Sequence, residues 1–504
     1  MNRETIRTAQ QYIDSLRGRN LDVYLFGERI DEPLDHPVIR PSVNAVAETY
    51  ALAERNPELG TALSPFTGER VNRFLHIAQS RDDLVMQNKM QRRLGQLTGT
   101  CFQRCVGMDA FNSLHSVTWE IDEAHGTGYH DRFCEFVRYA QECGFVIGGA
   151  MTDVKGDRAK APHQQADPDL YVHVTRRTED GVFITGAKAH QTGCINSHWL
   201  IVMPTIRLSK EDRDYAITGA VPVDAGGITY VYGRQSCDTR SMEPGDIDAG
   251  NARFGGQEAM IVFDDVFIPN EHIFMDGEHE FASMLVERFT CYHRRSYVCK
   301  SGVGDVLIGA AAAIAEYNGV ERASHVRDKL VEMTHQNETI YSTGIASSYQ
   351  AEKMKSGVYL CDDMIANVCK HHVTRIPYEI ARLAQDLAGG LVVTAPSEQD
   401  LNHEKIGPLV RKYLKAREDI SAEDRIRILR LIENITLGRN AVGYLTESMH
   451  GAGSPQAQRI QMARASQLDV RKSLAEKLAG VAGEEATDER NLEGYLERVF
   501  RPEG

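Results

Sequence analysis

Hydrophobic residues recur every three to four positions in the first and last parts of the chain and alternate with polar residues in between. Segments 3–17, 42–56 and 82–114 show the first pattern, which is typical of amphipathic helices. From about 146 to 275, short runs of β-branched and aromatic residues alternate with polar ones, as in half-buried strands. The helical period returns from about 280 to 485. The pattern predicts helices, a β region, a second helical region and a frayed, charged C-terminus.

The clearest strand signal is a hairpin around Asp180-Gly181. An Asp-Gly pair between two alternating runs favours a tight β-turn. We divide the chain into an N-terminal α-helical domain (1–145), a central β domain (146–280) and a C-terminal helical bundle (281–504). This mixed α and β order resembles the acyl-CoA dehydrogenase-like flavoproteins, in which the central domain contacts the flavin.

Composition and charge argue against several classes of partner. The chain is 42% hydrophobic and 25% charged, as in an ordinary globular protein. Its net charge of −14 and pI near 5.7 disfavour nucleic acid or an anionic membrane as the main partner. The N-terminus is polar, and the longest apolar run is about half of a membrane span. We expect a cytoplasmic protein that binds neither membrane nor nucleic acid.

The 10 cysteines are too sparse for a disulfide scaffold, and most should be inert core residues. Cys101 and Cys105 are four positions apart, which on a helix places both thiols on one face. That spacing suits a metal centre and also ordinary core packing. A second cluster contains Cys291, His293 and Cys299. Three thiolates and one imidazole could hold an iron–sulfur cluster or zinc.

Other segments are candidates for flavin contacts or proton transfer. The segments 151–158 and 188–193 are rich in small and polar residues, and the segment 385–390 ends in a glycine pair that a pyrophosphate could approach closely. Each of them could equally be a turn or a helix C-cap. Glu258 stands just before a strand, and Glu447 lies in a predicted loop between a helix and a glycine-rich turn. Either could act as an acid or base if burial raised its pKa. An isolated glutamate is otherwise a solvated surface residue.

Seven motifs stand in one order along the chain: CFQRCVGMDAFN, AMTDVKGDR, AKAHQTGCINSH, YGRQSCDTR, FGGQEA, YHRRSY and TESMHGAGSPQAQR. Together they resemble the 4-hydroxybutyryl-CoA dehydratases, a group within the wider 4-hydroxyphenylacetate 3-hydroxylase family. The likeness runs from about residue 8 to 485. Its length and the number of independent motifs make chance a poor explanation.

The resemblance implies FAD and a [4Fe–4S] cluster as cofactors, an acyl-CoA substrate, and a homotetramer built from two dimers. The cluster ligands carry over onto Cys101, Cys105, His293 and Cys299. The substrate-pocket residues carry over onto Gln103, Thr192, Glu258, Tyr297, Lys300 and Glu447. The flavin contacts carry over onto Met151, Thr152, Asp153, Lys155, Gly156, Asp157, Arg158, Lys188, His190, Gln191, Thr192, Gln385, Gly389 and Gly390. In such folds the 385–390 turn reaches the FAD of the neighbouring subunit, so the C-terminal bundle would hold the cluster and the oligomer contacts.

The implied reaction converts 4-hydroxybutyryl-CoA to crotonyl-CoA and water, with vinylacetyl-CoA Δ-isomerase activity at the same site. The β C–H bond is not acidic, so the implied route passes through a substrate radical, with the cluster iron as Lewis acid for the leaving hydroxyl. We expect His293 to be the base and a labile ligand. Glu447 and Tyr297 would handle protons around it.

One spacing departs from the family pattern. His293 and Cys299 are six residues apart, whereas the family pattern has seven, which is about two helical turns. In a regular helix, six residues would turn Cys299 about 120° away from the side of His293. We therefore predict that Cys299 is still a ligand and that the helix is irregular between Tyr297 and Cys299.

Three other functions remain open at this point. A flavin-dependent aromatic hydroxylase of the same family would use reduced flavin and oxygen and would leave the Cys and His set unused. An acyl-CoA dehydrogenase would need a catalytic glutamate over the flavin and an electron-transfer partner. A non-enzymatic helical scaffold with structural zinc would leave the flavin-like segments unexplained.

Overall fold

The computed structural model describes residues 5–481, so the predicted frayed C-terminus lies almost wholly outside the described residues. The first part of the chain is mainly helical. Its helices are α1 (Ala9–Ser15), α2 (Arg40–Arg55), α3 (Pro57–Gly60), α4 (Arg81–Thr98), α5 (Cys105–His125) and α6 (Tyr129–Cys143). Its strands are β1 (Asp22–Leu25), β2 (Glu28–Arg29), β3 (Thr61–Leu63) and β4 (Arg70–Asn72).

The central part is built from strands. These are β5 (Ile147–Ala150), β6 (His173–Arg177), β7 (Gly181–Thr192), β8 (Trp199–Val202), β9 (Ile217–Pro222), β10 (Ile228–Tyr232), β11 (Glu258–Pro269) and β12 (Ile273–Asp276). They form a six-stranded sheet in the order β2-β1-β10-β11-β7-β6 and a four-stranded sheet in the order β12-β9-β8-β5. The predicted hairpin is confirmed, since β6 and β7 pair antiparallel across Asp180-Gly181. The N-terminal strands β1 and β2 join the larger sheet, so the first 145 residues are not wholly separate from it.

The last part is a helical bundle with one small hairpin. Its helices are α7 (Ala282–Ser296), α8 (Cys299–Tyr317), α9 (Ser324–Tyr349), α10 (Asp363–Val373), α11 (Ile376–Ala388), α12 (Leu391–Thr394), α13 (Glu398–Asn402), α14 (Gly407–Leu414), α15 (Ala422–Thr436), α16 (Arg439–Ala441), α17 (Glu447–His450), α18 (Pro455–Ala465) and α19 (Leu468–Leu478). The hairpin strands are β13 (Glu352–Lys353) and β14 (Tyr359–Leu360). The domain boundaries at 145 and 280 stay a prediction.

Two large hydrophobic cores hold these parts together. One joins the two sheets to α5 and α6 through residues such as Phe111, Phe133 and Ile201. The other lies among α8, α11 and α15, with Leu307 and Ile432 fully buried. Each such side chain contributes about 1.5–3 kcal/mol relative to exposure. The first core therefore fixes α5 and α6 against the sheets, and the second holds the helices of the C-terminal bundle together.

The apolar segment His279–Tyr317, which contains α7 and α8, is long and apolar enough to cross a membrane by composition alone. Its most apolar window is 61% buried inside the structure, as in a core helix. Helix α8 also packs closely on α4. A Cβ atom added to Gly95 of α4 would meet the Cys299 carbonyl oxygen at 2.5 Å, and one added to Gly302 would meet the Arg92 carbonyl oxygen. Glycine permits this approach, which sets the start of α8 beside the end of α4.

Candidate active site

A cavity of about 940 Å³ lies where the β region meets the C-terminal helices. That volume is at the upper end of the range of about 300–1,000 Å³ for ligand pockets. Its walls come from the loop before α5, the segment after β5, the end of β7, the start of β11, helix α7 and the surroundings of α17. Of the predicted cluster and substrate-pocket residues, those that line it are Cys101, Cys105, His293, Cys299, Gln103, Thr192, Glu258, Tyr297 and Glu447.

The first two cysteines reach the cavity from a loop and a helix start, so the prediction that they share one helix face is wrong. Helix α4 ends at Gly99, whose φ of 59° is left-handed, and Gln103 has a φ of 67°. These two residues break the helical path, and α5 begins only at Cys105. Cys101 therefore lies in the connecting loop. Both cysteines still line the same cavity.

The predicted irregularity before Cys299 is confirmed. Helix α7 ends at Ser296 and α8 begins at Cys299. In the junction, the amide groups of Val298 and Lys300 donate to carbonyl oxygens three residues earlier, as in a 3₁₀ turn. A 3₁₀ turn advances about 120° per residue instead of about 100°, so three such residues recover about 60° of rotation. Cys299 is thereby turned toward the side of His293, and both residues line the cavity.

The thiols of the cavity affect one another's ionisation. A hydrogen bond between Cys105 and Cys299, together with burial, raises the pKa of Cys105 well above its usual value. The same hydrogen bond and the charge of Lys300 lower the pKa of Cys299. Burial and Glu447 raise the pKa of Cys101. Cys291 is apart from this set: it is buried, and its Sγ lies 3.1 Å from the Sγ of Cys361.

His293 reaches the cavity from the last turns of α7. Its Nδ1 lies 2.7 Å from Oδ2 of Asp109 on α5. A carboxylate accepts hydrogen bonds, so Nδ1 carries the ring proton and Nε2 is left to bind a metal or take a proton. Ser296 Oγ donates to Asp109 Oδ1 at 2.9 Å, and the Arg295 guanidinium lies 3.9 Å from the same oxygen. The Phe289 ring stacks on the imidazole at 5.2 Å, so the ring is held on two sides.

Glu447 is the first residue of α17 and follows the π-helical segment Val442–Thr446, so the prediction of a loop position is wrong. Its Oε2 accepts from Lys300 Nζ at 3.3 Å, and its Oε1 lies 3.8 Å from Cys101 Sγ. Burial lowers the pKa of Lys300, but Glu447 and the neighbouring thiols raise the pKa by a larger amount. The pKa of Lys300 is therefore above its usual value. Lys300 does not line the cavity and lies behind Glu447, with a side chain only 2% exposed.

Tyr297 and Lys370 form a buried layer next to this pair. The Tyr297 hydroxyl lies 3.5 Å from the Glu447 carbonyl oxygen, and Lys370 Nζ lies 3.8 Å from the centre of the Tyr297 ring. Lys370 also donates to the Ser448 carbonyl oxygen. Burial raises the pKa of Tyr297 well above its usual value and lowers the pKa of Lys370 well below its own. The phenol therefore stays neutral and can donate a proton or hydrogen bond.

Glu258 stands opposite Thr192 in the antiparallel pair of β11 and β7. The Thr192 hydroxyl donates to Glu258 Oε1 at 2.6 Å. Burial and the nearby charge of Glu447 raise the pKa of Glu258 to about 8. Near neutral pH the carboxyl group is therefore largely protonated and can donate a hydrogen bond into the cavity.

Most of the predicted flavin contacts form a second wall of the cavity, built from the β region. They are Met151, Thr152, Asp153, Lys155, Gly156, Arg158, His190, Gln191 and Thr192. Positive φ angles at Lys155 (73°) and Gly156 (37°) turn the backbone sharply at this point of the wall. Among the described residues, seven non-glycine residues have positive φ, and four of them line the cavity: Gln103, Lys155, His190 and Ala452. Such strain tends to collect at functional sites.

Lys188 supports that wall from behind without lining the cavity. Its Nζ donates to Asp153 Oδ1 at 2.5 Å and to the carbonyl oxygens of Met151 and Met203 at 2.9 Å each. Both charged side chains are 2% exposed. Three oxygen partners occupy this ammonium group, so it holds the flavin-like segment in place.

Four further predicted flavin contacts also lie outside this cavity: Asp157, Gln385, Gly389 and Gly390. Asp157 is exposed on the segment after β5. The other three lie at the end of α11, where Gly389 has a φ of 69° and, as predicted, a glycine pair follows the helix. Gly389 and Gly390 are exposed, so contact with a neighbouring subunit stays a prediction for them.

Two family models match almost the whole chain. The model described as 4-hydroxyphenylacetate 3-hydroxylase N terminal matches residues 8–275, and the C-terminal model matches residues 282–480. The chain belongs to the 4-hydroxyphenylacetate 3-hydroxylase family. The predicted family resemblance is therefore confirmed.

Two relatives within this family are similar over their full lengths. A Clostridium aminobutyricum protein named 4-hydroxybutyryl-CoA dehydratase/vinylacetyl-CoA-Δ-isomerase is 55% identical over 488 residues, which cover 94% of this chain and 100% of that protein. A solved structure described as an oxygen-tolerant archaeal 4-hydroxybutyryl-CoA dehydratase from N. maritimus is 67% identical. It covers 99% of this chain and 100% of its own, with a TM-score of 0.96.

More distant structures show the fold alone. The oxygenase component (HpaB) of 4-hydroxyphenylacetate 3-monooxygenase, solved in complex with FAD, has a TM-score of 0.81 at 21% identity and covers 94% of this chain and 100% of its own. A glutaryl-coenzyme A dehydrogenase has a TM-score of 0.52 at 12% identity over 94% of this chain and 98% of its own. The predicted acyl-CoA dehydrogenase-like fold is thus confirmed.

Two residues of the site were missed in the sequence. Asp109, the hydrogen-bond partner of His293, lies one helical turn after Cys105. It could have been predicted as a site residue, because it is a lone carboxylate in the apolar stretch GMDAFN. Lys370 lies in α10, far along the chain, and the sequence around it, NVCKHH, contains no feature that links it to Tyr297. Long-range contacts of this kind become visible only in the folded chain.

Proposed function

We propose that this chain dehydrates 4-hydroxybutyryl-CoA to crotonyl-CoA with FAD and a [4Fe–4S] cluster, and that it also isomerises vinylacetyl-CoA. The observation that carries the proposal is the convergence of Cys101, Cys105, His293 and Cys299 on one cavity that the flavin-like segments also line. The name of the 55% identical relative supports the same activity.

The donor set fits a cluster held by three thiolates and one imidazole. Cys101, Cys105 and Cys299 supply sulfur, and Asp109 fixes the tautomer in which His293 Nε2 can coordinate. The second wall fits a flavin, because it has turned backbone at 155–156 and polar side chains at 190–192. When bound, the two groups would supply one-electron exchange with the substrate and a Lewis acid for its hydroxyl group.

The atom balance of the reaction sets the tasks of the protein groups. One proton must leave C2 and another C3, the hydroxyl group must leave C4 as water, and one proton must return to C4. His293 Nε2 is the acceptor we assign to the substrate C–H protons, and Asp109 would stabilise the resulting imidazolium through Nδ1. Because Nδ1 is hydrogen-bonded to Asp109, only Nε2 can act as a metal ligand or as a base. It cannot do both at the same moment.

The remaining groups donate or relay protons. The protonated Glu258 carboxyl would hydrogen-bond to a substrate oxygen, with Thr192 fixing its orientation. Glu447, which is held by Lys300, would relay a proton, and the neutral Tyr297 phenol next to it would act as a donor. Isomerisation of vinylacetyl-CoA needs only proton loss at C2 and gain at C4, so it would use part of the same machinery.

Assembly and location complete the proposal. We infer a homotetramer of two dimers from the resemblance to the family, and the exposed glycine pair after α11 is free to contact a neighbouring subunit's flavin. A cytoplasmic location agrees with the net charge of −14 and with the burial of the apolar segment His279–Tyr317. Sedimentation analysis of the purified protein would test the assembly.

The decisive experiment is anaerobic purification followed by measurement of flavin, iron and sulfide per chain. We expect about one FAD and about four iron atoms per chain, and turnover of 4-hydroxybutyryl-CoA. Flavin without iron after anaerobic reconstitution would contradict the proposal and favour the aromatic hydroxylase. Absence of both would favour the scaffold with structural zinc.

A further inference from the structure

A second group of metal-binding side chains lies outside the cavity. His115 of α5 and His130 and Cys134 of α6 each offer one ligand atom, and these atoms all lie within 4.8 Å of one another. His130 and Cys134 are four residues apart and so share a helix face. The rings of His115 and His130 meet edge to face at 4.8 Å. None of the three residues lines the cavity of the candidate active site.

The hydrogen bonds around His130 fix its tautomer in a form that can bind a metal. The Thr118 hydroxyl donates its proton to the Leu114 carbonyl oxygen at 2.7 Å. The Thr118 oxygen also lies 3.0 Å from His130 Nδ1. Because its only proton is already donated to Leu114, it can only accept a hydrogen bond from that nitrogen. Nδ1 therefore carries the ring proton, and the lone pair is on Nε2. That atom lies 3.6 Å from Cys134 Sγ.

The distance between these two atoms suits a zinc ion between them. Zn–N bonds of about 2.0–2.1 Å and Zn–S bonds of about 2.3 Å at a tetrahedral angle separate nitrogen and sulfur by about 3.6 Å. The observed separation of His130 Nε2 and Cys134 Sγ is 3.6 Å. His115 Nδ1 lies 3.3 Å from Ser356 Oγ, and in the tautomer in which Nδ1 donates to that oxygen, Nε2 is free to be the third donor. A hydroxyl partner on the second ring nitrogen is the arrangement that orients a metal-binding imidazole.

We propose that His115, His130 and Cys134 form a Zn²⁺ site that ties α5 to α6. Two imidazoles and one thiolate are ligands that zinc prefers, and a water molecule would complete the tetrahedron. His115 is buried, whereas His130 and Cys134 are half-buried, so the ion has a path from solvent. Because α5 begins with Cys105 and contains Asp109, the ion would stabilise the helix that supplies part of the candidate active site.

Zinc content of the purified full-length protein tests the proposal without any activity assay. After incubation with Zn²⁺ alone and desalting, we expect the wild-type protein to retain about one zinc ion per chain at this site. Cys134→Ser and His130→Gln should lose it. Cys143→Ser, at the other end of α6, should retain it. Equal zinc in the wild type and in folded Cys134→Ser would overturn the proposal, and the site would then be a thiol–imidazole hydrogen bond.

A parallel set of variants separates this site from the thiols of the cavity, which could also take up zinc. Cys101→Ser removes one of those thiols, and it should leave the zinc of the α5–α6 site unchanged. Zinc lost in Cys101→Ser but kept in Cys134→Ser would show that the ion binds in the cavity, against the proposal. Co²⁺ offers a second readout, because a thiolate–cobalt charge-transfer band should be present in Cys101→Ser and absent from Cys101→Ser/Cys134→Ser. Circular dichroism establishes that each variant is folded.

Discussion

The two walls of the cavity are built in different ways. On the helical wall, the reactive groups stand where helices are interrupted: Cys101 in the loop between α4 and α5, Cys299 at the junction of α7 and α8, and Glu447 directly after a π-helical segment. On the β wall, Thr192 and Glu258 are paired across two antiparallel strands, which continue through a β-bulge at 259–261. Interrupted helices can aim side chains inward from several directions, whereas strands paired by backbone hydrogen bonds hold one rigid surface.

The difference suggests a division of roles. The helical wall contains the thiols, His293 and the Glu447–Lys300 ion pair, which are most of the groups suited to chemistry, and the β wall adds Glu258. The β wall is fixed by the buried Lys188–Asp153 ion pair and by backbone pairing, which suits a surface for a flat cofactor. Damage to the helical wall should therefore abolish turnover in a folded protein, and damage to the β wall should first reduce stability and flavin retention.

The largest expected effect follows from removal of Cys299. In Cys299→Ala the proposed cluster loses a ligand, so we expect loss of nearly all of the iron (about four atoms per chain) and of dehydration. Iron analysis and electron paramagnetic resonance of the anaerobic protein measure this. Cys291→Ala is the matched control, because Cys291 lies next to Cys361 and away from the cavity. Loss of iron in Cys291→Ala alone would show that Cys299 is not the ligand.

Glu447→Gln should have the next largest effect. The substitution keeps the shape of the side chain but removes the charge beside Lys300 and the capacity to relay a proton. We expect full flavin and iron content with a decrease of about 10²–10⁴-fold in kcat for dehydration. Glu404→Gln, an exposed position, is the control. Wild-type turnover in Glu447→Gln would remove this residue from the mechanism.

The β wall is tested by Lys188→Met. Methionine cannot pair with the Asp153 carboxylate, which would be left buried without its cation. We expect a loss of about 3–5 kcal/mol in the free energy of unfolding, measured by chemical denaturation, together with weaker flavin retention. Lys160→Met removes the exposed pair with Asp157 and should cost less than about 1 kcal/mol. Equal costs for the two variants would contradict the role of Lys188 as a buried support.

The contrast between the walls also explains what the sequence could predict. The β hairpin, the strands and the long helices follow from local periodicity, which reports burial of one face. The helical wall depends on interruptions that periodicity does not encode: the left-handed residues Gly99 and Gln103 placed Cys101 in a loop, and a π-helical segment placed Glu447 at a helix start. For this reason the predicted helix face for the two cysteines and the predicted loop for Glu447 were wrong.

The spacing of two residues predicted local structure correctly where it could be compared with the spacing in the family. The shortened interval between His293 and Cys299 predicted an irregular junction, and a 3₁₀ turn is present there. Contacts between distant segments were not predictable: Asp109 meets His293 across 184 positions of the chain. Contacts of Gln385, Gly389 and Gly390 stay predictions, because they concern a neighbouring subunit.

Asp109→Asn should reduce activity by a smaller factor than Glu447→Gln does. The amide can still hydrogen-bond to His293, but it can present its NH₂ group and thereby favour the wrong tautomer, and it cannot stabilise an imidazolium ion. We expect a decrease of about 10–100-fold in iron affinity or turnover. Asp131→Asn, which is exposed on α6, serves as the control. A fully active Asp109→Asn enzyme would show that the carboxylate only packs against the ring.

The smallest effect concerns the ionisation of Glu258, whose pKa is raised to about 8 by burial and by Glu447. The protonated form is the hydrogen-bond donor, so kcat/KM should decrease as pH rises above about 8, by about tenfold per pH unit. Glu258→Gln stays neutral at every pH. It should lack this decrease and, below pH 8, should keep activity within about tenfold of the wild type.

The same shift predicts a change in stability with a definite sign. An unfolded glutamate has a pKa of about 4.3, so between that value and about 8 the folded state binds more protons at Glu258 than the unfolded state does. The free energy of unfolding should therefore decrease as pH rises through this window and level off above it. In Glu258→Gln the decrease should be shallower. Chemical denaturation of both proteins across the window measures the difference, and parallel curves would show that Glu258 ionises normally and does not act as the neutral donor.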